Sequence, residues 1–214
     1  MERRIFKGCS TILYMKKELF FLYQKKKNEI QSKLKSFKNQ SEEQKFKEFL
    51  FCLLTPQSNA QRCWQAVEQL SSLDDWNEDN IKEILKTKTR FHNTKALRIL
   101  KAKETFNKIK HILSDNNSLE LRNNIAEQVN GYGLKEASHF LRNIGLSNNN
   151  IAILDRHILK NLKLNDVISA DKPKSKKHYL ELEQSFLNFA KSLNIPVDEL
   201  DLLWWSKENG EIFK

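Results

Sequence analysis

At 214 residues the chain is long enough to bury a sizeable core, as one larger domain or as two small ones. Lysine and arginine outnumber aspartate and glutamate by 37 to 27, and the resulting +10 favours a polyanionic partner, whose neutralised phosphates release counterions. Cys9, Cys52 and Cys63 make no CxxC pair and no cluster with histidine, which excludes a legible zinc site or iron–sulfur cluster and leaves reduced, mostly buried thiols.

In chain order, the apolar residues at 12–15 and 19–23 are interrupted by Lys16, Lys17 and Glu18. Neither a secretion signal nor a spanning segment results, and an intracellular protein is expected. Lys25, Lys26 and Lys27 fit either a track along DNA or a solvated helix face, the second being favoured. Only three prolines and five glycines punctuate the chain, and its apolar residues recur at helical spacing, so nearly all of it reads as helix. Phe46, Phe49, Leu50, Leu53 and Leu54 complete an i, i+3, i+4, i+7, i+8 stripe that Thr55 and Pro56 terminate. Ser58 and Asn59 can cap the next helix, which carries Ala60, Trp64, Val67 and Leu70. Further helices are predicted over 78–86, 93–114 and 118–129.

Gly131 and Gly133 then stand one residue apart between a helix that ends and a helix that begins, giving a hairpin over about 125–145. Such a turn lets the backbone approach an anion and offers the unpaired amides of the second helix to a phosphate. On spacing alone an ordinary turn is the better reading. Leu134, Ala137, Phe140, Leu141 and Ile144 line one face of the following helix, and Gly145 supplies its stop. Another helix is predicted to start beyond Asn150 and run through Arg156 to about 162. Residues 171–177 form a charged connector, followed by a helix over 179–193 and, after Pro196, a last helix with Trp204 and Trp205.

The run Gly-Tyr-Gly-Leu-Lys-Glu-Ala-Ser-His-Phe-Leu-Arg-Asn at 131–143 resembles the helix-hairpin-helix of the type 2 8-oxoguanine DNA glycosylases/lyases. Ala-Ile-Leu-Asp-Arg-His-Ile-Leu at 152–159 resembles the second signature of that family, with Asp155 twenty residues after Lys135. Residues 51–58, 89–93 and 200–214 extend the likeness, which covers most of the chain after about residue 40. It implies an all-α, two-lobed fold with a DNA-binding cleft between the lobes. The chain would be a single functional unit, its first and last helices sharing one lobe.

The implied activity is base excision repair by a monomer in a prokaryotic cytoplasm or nucleoid, acting on double-stranded DNA that contains 8-oxoguanine. Lys135 would supply an amine that attacks the anomeric carbon, displaces the base and leaves an imine, from which the 3′ phosphate is eliminated. Asp155 would supply the carboxylate that stabilises positive charge on the sugar. An ordinary lysine is neutral only about once in a few thousand at pH 7, so the site must raise that fraction. Taken singly, a lysine near a helix start is usually solvated surface and an aspartate there is usually a cap. The matched pair of motifs points to chemistry.

The same resemblance assigns base stacking to Phe91 and Trp205, leaves Trp204 to the core, and lets the terminal carboxylate of Lys214 accept hydrogen bonds from the base edge. Gln57, by likeness to the related endonuclease III proteins, would fill the gap left by a flipped nucleotide. Gly131 and Gly133 would present backbone to phosphate. Arg142 is counted with the DNA contacts, an internal ion pair being the other reading. His139 and His157 are assigned structural hydrogen bonds, since no metal-ligand spacing accompanies them. No cofactor is required on this reading, the four-cysteine tail of iron–sulfur relatives is missing, and hairpin carbonyls are suited to a structural monovalent cation. Excision of other oxidised bases by the same lysine, and a non-catalytic helix-hairpin-helix module that only binds DNA, are the competing functions.

Overall fold

The computed structural model describes residues 3–214, with side chains from Lys17 onward except Asn209. Its regular elements are all helical: α1 (Arg3–Ser36), α2 (Glu42–Leu54), α3 (Ala60–Ser71), α4 (Glu78–Lys86), α5 (His92–Leu100), α6 (Ala102–Ile109), a 3-10 turn (Lys110–Ser114), α7 (Ser118–Gln128), α8 (Leu134–Asn143), α9 (Arg156–Leu164), α10 (Lys176–Ser192) and α11 (Val197–Asn209). Helix starts follow their caps. Ser41 and Gln44 form a reciprocal capping box at α2, and the side chains of Asn59, Asn77, Asn117 and Ser175 each accept an amide of the helix they precede.

The chain divides into two compact units. One is the contiguous segment 37–146, and the other joins the residues through Ser36 to Ser147–Lys214. In the contiguous unit, α2 is buried from Glu48 to Leu54 and packs on α3, α5, α6 and α8. Its core is aromatic: the Phe49 ring lies 5.5 Å from Phe106, 5.3 Å from Tyr132 and 5.8 Å from Phe140. Such rings gain both area burial and edge-to-face contact. Cys52 and Cys63 are free and buried here, and burial pushes the Cys63 thiol up to about 11, which keeps it protonated and inert. Cys9 lies outside the residues whose side chains are described.

In the other unit, α11 packs on α1, α9 and α10. Trp204 is stacked on Phe186 at 5.3 Å and Phe189 at 5.9 Å, a core residue as its apolar stripe suggests. The buried Tyr23 hydroxyl donates to Glu199 Oε2 at 2.6 Å and Gln31 Nε2 donates to Glu199 Oε1 at 3.2 Å, so α1 is tied to α11 by polar contacts, and Leu19 and Ile30 of α1 are buried. Among the described residues no helix is long and apolar enough to cross a membrane.

Two predicted helices are corrected. The stretch 93–114 is not one helix, because α5 closes and α6 opens at Lys101 and the 3-10 turn follows. Buried Ala96, Ile99, Ala102, Phe106 and Ile109 keep one apolar stripe across the break, so periodicity does not register it. Residues 151–154 are not helical either. They are irregular and buried, and side chains satisfy two of their amides: Ala152 N–H donates to Glu183 Oε1 at 2.8 Å and Leu154 N–H reaches the Tyr179 hydroxyl at 3.4 Å.

Candidate active site and nucleic-acid interface

The hairpin between α7 and α8 is held from inside. Tyr132 N–H closes a turn on Val129 C=O at 3.1 Å, and the buried Tyr132 hydroxyl donates to Phe49 C=O at 2.8 Å. Gly131 has φ +103°, a conformation that favours glycine, and a Cβ there would stand 2.7 Å from the Arg98 side chain and have to displace it. Gly133 caps α8 in extended backbone, and its N–H donates to Glu136 Oε2 at 3.1 Å. The protein's own carboxylate therefore occupies the helix N-terminus where a phosphate was expected. The other oxygen of Glu136 pairs with Lys135 Nζ at 2.9 Å, and the Lys135 side chain is 26% exposed.

Asp155 begins α9 as its N-cap. Oδ1 accepts from the amides of His157 and Ile158, both at 2.8 Å, and Oδ2 has no protein partner among the described residues. The backbone satisfies one oxygen, and the other is open to a ligand. His157 Nδ1 lies 3.8 Å from Glu208 Oε2, and Arg156 Nε donates to His157 Nε2 at 3.2 Å. Lys135 belongs to the contiguous unit and Asp155 to the other.

Gln57 and Phe91 occupy two exposed turns of the contiguous unit. Ser58 N–H closes the first turn on Thr55 C=O at 3.0 Å, with Pro56 second and Gln57 third. The third position of this turn asks for φ > 0 and hence glycine, yet glutamine holds it at +55°. Phe91 precedes α5 with φ +57° and is 53% exposed, the Arg90 guanidinium 5.4 Å from its ring centroid. Both Gln57 and Phe91 are non-glycine residues in the left-handed region with exposed side chains, a backbone conformation that carries strain in a residue of that size.

Trp205 is half-buried, its ring 5.9 Å from that of Phe213, and Lys214 is buried rather than frayed. Arg142 is a correction. It is 3% exposed, with its guanidinium 5.7 Å from the Phe37 ring, and a phosphate cannot reach it without opening the core. It packs against Phe37 inside the contiguous unit. His139 is likewise buried, edge-on to Phe51 at 5.5 Å.

The sequence pattern described as 8-oxoguanine DNA glycosylase matches residues 8–195. The chain belongs to that family. It is 39% identical to the 8-oxoguanine DNA glycosylase/AP lyase of Fusobacterium nucleatum, the match covering 94% of this chain and 100% of the relative. Among solved structures, the 8-oxoguanine DNA glycosylase of Thermotoga maritima is matched with a TM-score of 0.85 at 27% identity, covering 95% of this chain and 100% of that one. The Methanocaldococcus jannaschii 8-oxoguanine glycosylase/lyase in complex with a 15mer DNA containing 8-oxoguanine is matched with a TM-score of 0.80 at 32% identity, covering 92% and 100%.

Three residues of this glycosylase-family chain escape a sequence reading. Arg98 packs on the hairpin glycine, and Glu136 binds both the hairpin amide and Lys135. Lys95 is only 2% exposed. Its one sequence signal is phase, since it falls on the same α5 face as Ile99, where an apolar residue belongs.

Proposed function

We propose that the chain excises 8-oxoguanine from duplex DNA and then cleaves the strand 3′ to the abasic site by β-elimination. The observation that carries this is the joint occurrence, in a member of this family, of a hairpin lysine on the first turn of α8 and an N-cap aspartate with an open carboxylate oxygen on α9. Lys135 Nζ, once deprotonated, attacks C1′ as the bond to the base breaks and the base leaves with the bonding pair. Asp155 offers negative charge to the sugar as positive charge develops there. Ring opening gives an imine between Nζ and C1′. Loss of a C2′ proton and departure of the 3′ phosphate then cut the strand, and water releases the lysine.

The flipped base is held by Phe91 and Trp205, with Lys214 at its edge, and Gln57 enters the gap in the duplex. The exposure of Phe91 supports this assignment, because a ring of that size left in solvent on a strained turn serves no core. Gly131 and Gly133 bring hairpin backbone to the strand, which requires Glu136 to yield the Gly133 amide.

Borohydride trapping on a duplex with one 8-oxoguanine tests the scheme. A covalent adduct is expected with the wild type and none with Lys135→Gln or with undamaged DNA. Wild-type protein that binds the damaged duplex but yields neither adduct nor cut strand rejects it.

A further inference from the structure

We infer that Lys95 is a positioning residue that locks the Gln57 turn and the Phe91 turn together, through Ser58, into one DNA-facing unit. The inference rests on the roles proposed above for Gln57 and Phe91. Lys95 is buried, and its ammonium has three N–H groups and three acceptors: Leu54 C=O at 2.7 Å, Pro56 C=O at 2.9 Å and Ser58 Oγ at 2.8 Å. Every donor is used, which a neutral amine cannot match. Leu54 C=O is an end carbonyl of α2, so the cation also caps the negative end of that helix.

Ser58 Oγ is equally committed. It accepts from Lys95 and from Arg90 N–H at 2.9 Å, and donates to Pro56 C=O at 3.4 Å. One hydroxyl thus joins the residue before Phe91 to the residue after Gln57. The Lys95 amide in turn donates to Phe91 C=O at 3.0 Å, so the same lysine grips both turns, one by its head and the other by its backbone. Strained backbone at Gln57 and Phe91 persists only where surrounding contacts over-determine it, and these contacts do so.

Packing does not require a cation here. A methionine of similar length would fill the space without the desolvation that pushes the Lys95 ammonium down to about 8, a shift to which Arg98, Lys135 and Arg90 add and which Cys63 opposes. What methionine cannot do is hold two carbonyls and a hydroxyl at fixed distances.

Three measurements on the full chain test this, using Lys95→Met and Ser58→Ala. The first is the fluorescence of 2-aminopurine placed opposite an uncleavable tetrahydrofuran abasic analogue in a duplex, which reports entry of the filler with no chemistry. The second is single-turnover excision from a duplex with 8-oxoguanine, and the third is cleavage of a single-stranded oligonucleotide carrying a ready-made abasic site. Lys95→Met is expected to lose most of the fluorescence change and to slow duplex excision by about tenfold or more, since small misplacements at a site carry penalties of that order. Single-strand cleavage, which needs no gap filled, should stay within about threefold. Ser58→Ala should show the same pattern more weakly. It decides the matter if Lys95→Met is unfolded by circular dichroism at the assay temperature. An unchanged fluorescence signal, or equal losses in all three assays, overturns the inference. A wild type that excises nothing, yet gives a fluorescence change that needs Lys95, overturns the proposed function and leaves the positioning role standing.

Discussion

Asp155 caps α9 with one oxygen and is proposed to face the sugar with the other, and the two tasks can be separated. Oδ1 satisfies the first amides of α9, so Asp155→Ala removes a cap at a cost of about 1 kcal/mol along with the charge. Asparagine caps as well as aspartate but carries no charge. Asp155→Asn is therefore expected to unfold in urea within about 0.5 kcal/mol of the wild type while single-turnover excision falls by about 10²-fold or more. A variant that excises normally would reduce Asp155 to a cap. Lys95 and Arg142 show why side-chain fate is hard to foresee. Both are cations, a residue type ordinarily met in solvent or on phosphate, and both are held by neighbours remote in the chain: Leu54 and Pro56 for one, Phe37 for the other.

At the scale of elements, the hairpin combines the features most and least legible in sequence. Gly131, Gly133 and the amphipathic face of α8 could be marked directly, and α8 ends as Gly145 suggested. Gly145 N–H donates to Arg142 C=O at 3.0 Å and Leu146 N–H to Leu141 C=O at 2.8 Å, a Schellman motif. Arg98 leaning on Gly131 was invisible, because only packing brings α5 to the hairpin. Gly131→Ala is expected to lower stability in urea by more than about 1 kcal/mol, since alanine is strained at φ +103° and must displace Arg98. An unchanged urea midpoint would mean that the turn relaxes freely. The start of α9 escaped for another reason. Four consecutive apolar residues, Ile151, Ala152, Ile153 and Leu154, have no period that separates buried irregular backbone from buried helix, and Glu183 and Tyr179, which satisfy two of their amides, lie on α10.

For the whole molecule, the +10 charge predicts affinity for undamaged duplex as well as for the lesion. The apparent association constant should fall steeply with salt, the logarithmic slope being about −0.9 for each phosphate neutralised. Fluorescence anisotropy between low and physiological salt measures it, and a flat dependence would remove electrostatics as the source of binding. The all-helical class was legible in composition and period. The grouping of the first helix with the last ones came from the family resemblance alone, because nothing local at Phe37 or Ser147 signals where packing changes partner.

That division sets an order of events during translation. Residues 37–146 leave the ribosome as a complete set and can collapse around Phe49 while the rest of the chain is still being made. The helix synthesised first has the longest wait. Tyr23 of α1 has no Glu199 to meet until α11 emerges, so the nascent chain carries one face of α1 without its α11 partner through most of the synthesis of these residues. The lysines at 25–27 leave that waiting helix strongly charged in the meantime.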